Sequence, residues 1–169
     1  FFDPNIFPMF YEYVDSHPEW GLTRMMYDSL EADDVVYLIK QKLAGQRVII
    51  VTNDNDYLQM IDDQTTIFNI TGKGLNLAKR SCGHPQKDLK IKIVMGDKSD
   101  NIEPIHAGIG PKTALKLVDM EESEFQNYLD TRGCREMYEK NKKLIDFTEI
   151  PKELWDGFQA TYEIVIQDI

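Results

Sequence analysis

The chain has 169 residues, 42% of them hydrophobic, and a formal net charge of −10. This length fits one domain of ordinary size or two small ones, and the apolar fraction can support a packed core. No apolar run approaches the roughly 18 residues of a membrane span, and the charged N-terminus is unlike a signal peptide, so we expect a soluble protein without a membrane partner.

The two cysteines, Cys82 and Cys134, are far apart in the sequence and form no metal-binding pattern. Cys82 and His84 resemble the start of a zinc site, but no second pair of ligands completes it. This cysteine usage favours a reduced, intracellular setting.

Charge is unevenly distributed along the chain. Residues 1–63 hold 12 acidic and 4 basic side chains, residues 64–116 hold 4 and 9, and residues 117–169 hold 13 and 6. Because the local field rather than the total charge steers a polyanion, the basic middle stretch is compatible with nucleic-acid binding, although a solvated basic face fits the same composition. Its basic side chains are Lys73, Lys79, Arg80, Lys87, Lys90, Lys92, Lys98, Lys112 and Lys116.

The first part of the chain predicts helices and strands in alternation. Residues 5–16 and 30–43 place apolar side chains at helical spacing, and Gly45 lies where a left-handed cap residue is expected. Residues 48–51 form a continuous β-branched run, which is typical of a parallel strand covered on both faces. Residues 65–70 are a second strand candidate and are followed by a turn.

The second part predicts helices only. Residues 88–96 alternate like a strand but also suit a helix, and we prefer the helix because helical patterns follow. Pro111 stands at a plausible first helical position, directly after Gly110. Further helices are predicted within residues 123–129, 134–147 and 151–165. We therefore predict a partial α/β core over residues 1–80 and a mainly helical domain over residues 81–169.

Three groups of acidic residues stand at positions typical of a site in an α/β protein. Asp54 and Asp56 follow the apolar strand, at the sheet edge where such sites form, and both point to one side if the chain stays extended. The other groups are Glu31, Asp33 and Asp34 at a helix start, and Asp97 and Asp100 in a later loop. Each group also has a local explanation: complementation of the helix dipole, turn formation, or capping of the chain near Ser99.

Convergence of these seven carboxylates would require cations to offset their mutual repulsion. Hard divalent ions with oxygen ligands fit best, namely Mg²⁺ or Mn²⁺, and the absence of a neighbouring histidine disfavours zinc. Two such ions about 4 Å apart bind a phosphodiester, activate a water and stabilise the leaving oxygen. Spacing alone fits both this metal site and a solvated acidic surface.

A glycine turn follows the last acidic pair. Gly108, Ile109 and Gly110 expose backbone N–H groups, the next helix adds its positive end, and Lys112 adds a point charge. Together they favour a grip on a nucleic-acid backbone that does not read bases. A tight turn between packed helices is the alternative, because a lone Gly-x-Gly turn has low specificity.

Four motifs, taken as a set, resemble the structure-specific 5′ nuclease family, which includes flap endonucleases and the 5′→3′ exonucleases of phages and large viruses. They are EADD at 31–34, TNDNDYLQM at 52–60, GDKSDNI at 96–102 and GIGPKTAL at 108–115. They occur in the family's order and cover roughly residues 25–120, and LIDFTEIPKEL at 144–154 is more loosely similar to the family's C-terminal helical region.

The resemblance implies a PIN-like parallel-sheet nuclease core followed by a helix-hairpin-helix DNA clamp of the helix–three-turn–helix type. It implies two ions of Mg²⁺ or Mn²⁺, one held by Glu31, Asp33, Asp34 and Asp54, the other by Asp56, Asp97 and Asp100. It also implies K⁺ at the carbonyls of Gly108, Ile109 and Gly110, with Lys112 and Thr113 beside the DNA backbone. The implied activity is cleavage of DNA, and of RNA in RNA–DNA duplexes, near 5′ ends or flaps during replication and repair.

This sequence departs from the family pattern at two places. IEPIHAGIG at 102–110 replaces the commoner Ile-Pro-Gly-Val-Pro-Gly-Ile-Gly, and no stretch before Glu31 offers the family's opening aspartate-bearing strand and basic arch. We therefore expect the C-terminal part of a longer nuclease, acting with an N-terminal half, a polymerase or a clamp, in the cytoplasm or a viral replication compartment. The alternatives are a non-catalytic or partner-completed DNA-binding module, and a PIN-type ribonuclease, which would not need the glycine turn.

Overall fold

The computed structural model describes residues 3–75 and 82–167, with side chains as far as residue 162. Its helices are α1 (Ile6–Asp15), α2 (Ala32–Lys42), α3 (Pro85–Met95), α4 (Pro111–Val118), α5 (Glu122–Arg132), α6 (Arg135–Ile145) and α7 (Lys152–Gln167). Its strands are β1 (Val48–Val51) and β2 (Thr65–Phe68), and 3-10 helices span Pro18–Trp20, Asp56–Met60 and Phe147–Glu149. The predicted helices and strands are confirmed, including a helix for the ambiguous stretch 88–96.

The two strands form a parallel pair. Ile50 of β1 lies opposite Ile67 of β2, and both side chains are buried. The N–H of Thr52 donates to the carbonyl of Phe68 at 2.9 Å, just beyond the strands. Because the strands run in the same direction, their carboxyl ends share one edge, and the chain leaves β1 at that edge towards Asp54.

The prediction that β1 is covered on both faces is wrong. Ile49 and Val51 are 68% and 63% exposed, whereas Ile50 between them is buried. Successive side chains of a strand point to opposite faces, so Ile50 faces the core and its two neighbours face solvent. None of the described elements packs over that second face.

Helices from the end of the chain pack on the α/β part. Phe147 joins the apolar cluster on the buried face of the sheet, which contains Ile50 and Ile67. Phe158 of α7 is fully buried against Leu38 of α2. The division of the chain near residue 80 stays a prediction, and Lys79 and Arg80 of the basic stretch lie outside the described residues.

The helices α3 to α6 surround a separate apolar cluster. Its buried members are Val94, Ile105, Ala114, Leu117, Phe125, Leu129 and Cys134. Ile105 belongs to the segment that joins α3 to α4, residues 96–110, which we call the connecting segment. Burial of Ile105 therefore attaches the middle of the connecting segment to the helices around it.

The first helix lies on the surface and has no buried residue. Its large hydrophobic residues exposed by more than half are Ile6, Phe7, Met9, Phe10 and Tyr13. The helix is short, and no helix within the described residues is both long and apolar enough to cross a membrane.

Candidate metal centre and backbone-binding turn

The first acidic group caps α2. Glu31 is the N-cap residue, its N–H donates to Asp34 Oδ2 at 3.0 Å, and its side chain accepts from the backbone of Asp34, which completes a capping box. Asp33 is half-buried, and burial raises the pKa of Asp33, with a further rise from the charges of Asp34 and Asp54. Asp33 Oδ1 also accepts the N–H of Asp34 at 3.0 Å, so all three acids take part in local bonds at the helix start.

The second acidic group forms a turn rather than an extended end of β1. Asn55 is helical, Asp56 opens a 3-10 helix, and the N–H of Asp56 donates to Asp54 Oδ1 at 2.9 Å. The chain does not stay extended here, so the condition under which both side chains would point to one side is not met. The reason is that an aspartate side chain can accept the N–H two residues on and so bends the chain.

The first two acidic groups nevertheless meet, around Tyr57. Burial raises the pKa of the Tyr57 phenol, and repulsion from Asp33, Asp54, Asp56 and Asp34 contributes to a value of about 12. Asp33, Asp34 and Asp56 also line one cleft. The start of α2 and the residues after β1 therefore face the same region of the surface.

The third acidic group is shaped by a tight loop. Asp97 and Ile102 exchange two backbone hydrogen bonds, of 2.9 and 2.7 Å, and the Ser99 N–H donates to Asp97 Oδ1 at 2.8 Å. Gly96 has a φ of 69°, and a Cβ at this position would overlap the Ile102 and Glu103 backbone. Only glycine fits this approach, and the loop it permits returns Asp97 and Asp100 towards Asp56.

Asp56, Asp97 and Asp100 form the tightest acidic cluster among the described residues. One carboxylate oxygen from each lies within 4.8 Å of the other two. All the donors are oxygen atoms, a set that suits a hard divalent cation better than zinc. The cluster thus fits such an ion, and its three carboxylates bring the residues that follow β1 next to the connecting segment.

Lys92 of α3 lies inside this cluster, which sequence reasoning did not anticipate. Its ammonium pairs with Asp56 and, at 2.8 Å, with Asp97, and the three side chains are only 20–24% exposed. Lys92 appeared in the sequence as one lysine of a basic stretch. Its position on α3, five residues before Asp97, was the available signal, but it becomes informative only once the loop is known to fold back.

Burial and pairing move the two partners of Lys92 in opposite directions. Burial raises the pKa of Asp56, and the charges of Asp54 and Asp97 add to this although Lys92 opposes it. Burial also acts to raise the pKa of Asp97, but hydrogen bonds from Lys92 and Ser99 outweigh it and lower that pKa to about 2. Asp97 is thus the more readily ionised of the two, because it has the additional Ser99 contacts.

The seven acids line two clefts that meet at Asp56 and Lys92. A cleft of about 540 Å³ is lined on its acidic side by Glu31, Asp33, Asp34, Asp56 and Asp100. A cleft of about 520 Å³ is lined by Asp54, Asp56 and Asp97. The structure therefore brings all the predicted acids to one region but not around one point, and their assignment as metal ligands stays a prediction.

A buried asparagine holds the connecting segment against the helices. Asn141 of α6 is fully buried, and its Nδ2 donates to the carbonyls of Ile93 at 3.0 Å and Glu103 at 2.8 Å. Its Oδ1 has no protein partner within the described residues. One side chain thus ties the end of α3 to the loop that bears Asp97 and Asp100.

The predicted backbone-binding turn lies at the end of the connecting segment. Gly108 has a φ of 87° and is exposed, and Pro111 opens α4 after Gly110. The structure shows no acceptor, among the described residues, for the N–H groups of Gly108, Ile109 and Gly110. Lys112 is exposed and Thr113 is partly buried in the first turn of α4, so the groups proposed to meet a phosphate share one end of that helix.

Known proteins resemble this chain in sequence. A family model for the N-terminal resolvase-like domain of 5′-3′ exonucleases matches residues 5–88. A 5′-3′ exonuclease of Buchnera aphidicola subsp. Schizaphis graminum is 32% identical over 108 residues, 59% of this chain and 37% of the relative. DNA polymerase I of Bacillus subtilis is 29% identical over 160 residues, 87% of this chain and 18% of the relative. The chain thus spans well under half of either relative.

A solved structure shares the fold. The bacteriophage T5 flap endonuclease, in a pseudo-enzyme-product complex with DNA and metal ions, matches with a TM-score of 0.62 and 18% identity, over 91% of this chain and 67% of that chain. This match shows the fold alone, with its mixture of helices and a small parallel sheet. The family model and the sequence relatives together support this chain as a member of the 5′ nuclease family.

Proposed function

We propose that this chain supplies the metal-binding and backbone-binding parts of a divalent-metal-dependent 5′→3′ exonuclease or flap endonuclease. The observation that supports it most is the approach of Asp56, Asp97 and Asp100 within 4.8 Å, in a chain of the 5′ nuclease family. These residues come from the end of β1 and from the connecting segment. A purely local role, such as capping, does not require them to meet.

The proposed metal ligands fall into two sets, one for each of two ions. Asp56, Asp97 and Asp100 hold one ion. Glu31, Asp33, Asp34 and Asp54 serve the other, some through water. Mg²⁺ or Mn²⁺ bound there supplies the Lewis acidity that activates a water and stabilises the leaving oxygen of a phosphodiester. The protein's own part is to hold the carboxylates ionised and oriented, as the hydrogen bond from Ser99 to Asp97 does.

The proposed DNA contacts are the N–H groups of the glycine turn and the side chains of Lys112 and Thr113, as a helix-hairpin-helix clamp. Such contacts grip the phosphate backbone of any sequence. The clamp also includes a K⁺ ion at the carbonyls of Gly108 and Ile109. The carbonyl of Gly110 already accepts the N–H groups of Thr113 and Ala114, both at 2.9 Å, and is therefore a poor ligand.

The proposed substrate is DNA with 5′ ends or flaps, with RNA–DNA hybrids as a second substrate. The phage relative solved with DNA and the polymerase I relative support DNA as the substrate and a polymerase as a partner. In this scheme residues 1–80 provide most of the acids and residues 81–169 provide the clamp, with Asp97 and Asp100 at their junction.

A second candidate function is a DNA-binding module that does not cut by itself. The pairing of Lys92 with both Asp56 and Asp97 favours it, because one ammonium already offsets part of the acidic charge without metal. Under this alternative the clamp binds DNA, and chemistry depends on ligands from another polypeptide.

One experiment separates these functions. The protein is incubated with 5′-labelled flap DNA in Mg²⁺ or Mn²⁺, and binding is measured by fluorescence anisotropy in a chelator. A nuclease releases 5′ fragments, and the Asp54→Asn, Asp97→Asn double variant binds DNA but does not cut it. Binding without cleavage by the unaltered protein favours the binding module, and cleavage retained in the double variant refutes the assigned roles.

A further inference from the structure

We propose that His106 and Tyr128 are positioning residues for the backbone-binding turn. They fix the peptide between Ala107 and Gly108, so that the Gly108 N–H faces a DNA phosphate. This inference rests on the proposed function, because it concerns how the same turn is held. It assigns a role to two side chains outside the motifs that carry the family resemblance.

A chain of two hydrogen bonds links α5 to the turn. His106 Nδ1 lies 2.7 Å from the carbonyl oxygen of Ala107, and His106 Nε2 lies 2.6 Å from the Tyr128 hydroxyl. A carbonyl oxygen can only accept, so Nδ1 must donate. In the neutral ring Nε2 then accepts, and the Tyr128 hydroxyl donates to it. Each bond in this chain sets the direction of the next.

The geometry of the peptide bond means that fixing the Ala107 carbonyl also fixes the direction of the Gly108 N–H. The Ala107–Gly108 peptide is planar and trans, so its N–H points away from its carbonyl oxygen. A histidine that holds the Ala107 oxygen therefore also aims the Gly108 N–H. A phosphate that meets this N–H finds it already oriented, and less conformational entropy is lost on binding.

Gly108 needs such support because its own conformation is permissive. Its φ of 87° lies in the left-handed region, and nothing lies within 4 Å of the place where a Cβ would stand. Glycine populates positive and negative φ about equally, so the turn would otherwise sample several orientations. The open space that lets a phosphate approach also leaves this side of Gly108 without packing contacts.

Tyr128 is itself well anchored. Its ring packs against the apolar cluster of α3 to α6, and the Arg132 guanidinium carbon lies 5.7 Å from the ring centroid. On the other side of His106, Ile105 is buried and its N–H donates to the Val94 carbonyl at 3.1 Å. His106 is thus held between α3 and α5, and the glycine turn begins two residues after it.

The test measures binding of 5′-flap DNA by fluorescence anisotropy in a chelator, over a range of salt concentrations. Tyr128→Phe removes one hydroxyl and keeps the ring, and we expect it to weaken binding about three- to tenfold, the size of one net hydrogen bond. No charge is removed, so the dependence of the affinity on salt should be unchanged. Tyr138→Phe is the control, because Tyr138 packs on the same cluster without a hydroxyl bond to the turn.

A rescue pair separates positioning from mere stability. His106→Gln keeps a donor for Ala107 and an acceptor for Tyr128, so it should bind DNA within about twofold of the unaltered protein, whereas His106→Leu should lose about as much as Tyr128→Phe. Mn²⁺ binding, measured by calorimetry, should be the same in all variants. The rescue pair still tests the proposal if Tyr128→Phe fails to fold.

Three results would overturn the proposal: unchanged affinity in Tyr128→Phe, an equal loss in Tyr138→Phe, or equal losses in His106→Gln and His106→Leu. If the unaltered protein binds DNA and the variants bind alike, only this inference fails. If the unaltered protein does not bind DNA at all, the proposed function fails with it.

Discussion

Replacement of Lys92 by methionine gives the sharpest test of the acidic cluster. The ammonium of Lys92 pairs with Asp56 and Asp97, and Asp100 lies in the same cluster. Methionine keeps most of the length of the side chain and removes the charge. Without metal, the variant leaves three carboxylates close together with no cation between them, so we expect a less stable protein.

The expected loss follows from the burial of the pair. Removing one partner costs about 3–5 kcal/mol when an ion pair is fully buried, and a surface pair contributes only about 0–1 kcal/mol. Side chains that are 20–24% exposed lie between these limits. We therefore expect a loss of about 2 kcal/mol, which for a chain of this size lowers Tm by about 4–8 °C.

A divalent ion should reverse this loss. A ligand at 100 times its Kd stabilises a folded protein by about 2.7 kcal/mol. In the unaltered protein the ion shares the cluster with the Lys92 ammonium, whereas in Lys92→Met it does not. We expect the Kd for Mn²⁺ to fall about tenfold, equal to about 1.4 kcal/mol, so that the variant gains more from the ion than the unaltered protein does.

The assay is a thermal melt with Mn²⁺ and with chelator, together with calorimetric titration of Mn²⁺. Lys90→Met is a matched control, because Lys90 lies on the same helix with the same 21% side-chain exposure, but pairs with Glu122 at 3.3 Å, outside the cluster. Unchanged or weaker Mn²⁺ binding in Lys92→Met, or an equal change in Lys90→Met, would refute a metal site at the cluster.

Four further predictions concern stability and binding. Because the fold lowers the pKa of Asp97 from 3.8 to about 2, its stabilising contribution is present above about pH 4 and is lost as the pH falls towards 2. Between pH 5 and pH 3, urea unfolding should show a loss of about 1 kcal/mol from Asp97 that is absent in Asp97→Asn, and equal losses in the two proteins would contradict this. Asn141→Leu leaves two carbonyls unpaired, so it should lower the free energy of unfolding in urea by about 2–3 kcal/mol and weaken Mn²⁺ binding. Unchanged stability would argue that Asn141 does not hold the connecting segment in place. Gly96→Ala should lower the amount of folded protein, measured by circular dichroism, and weaken Mn²⁺ binding, measured by titration, because the added Cβ overlaps the backbone of the same loop. An unchanged thermal melt would show that the loop relaxes to accept the Cβ. Lys112→Ala should weaken DNA binding alike on all sequences and reduce the salt slope in anisotropy by about 1, whereas a sequence-dependent effect would exclude a backbone clamp.

Periodic patterns predicted most of the α-helices and both strands in the described part of the chain, but not its 3-10 helices. The apolar face of α2 and the β-branched run of β1 are local features, and the sequence spacing determines them directly. Strand ends and family motifs also predicted that Asp54 and Asp97 lie in one region, and both line the same cleft. These predictions depend on few contacts between distant parts of the chain.

Other features depend on contacts that spacing does not determine. Lys92 joins the acids only because the loop after Gly96 folds back, and His106 meets Tyr128 across 22 residues of sequence. Asp56 leaves the expected strand direction because the Asp54 side chain competes with an extended backbone. In each case a side-chain hydrogen bond or ion pair, rather than a hydrophobic period, sets the geometry.

The uncovered faces of α1 and β1 affect how this chain behaves at the bench. Several large apolar side chains contact water there, namely Phe7, Met9 and Phe10 on the helix and Ile49 and Val51 on the strand. Transfer of this apolar surface out of water is favourable by about 25 cal/mol per Å². We expect the protein to self-associate as its concentration rises and to dissociate in a mild non-ionic detergent. We also expect it to bind anilinonaphthalene dyes and increase their fluorescence. Dilute solutions will therefore give the most trustworthy affinities.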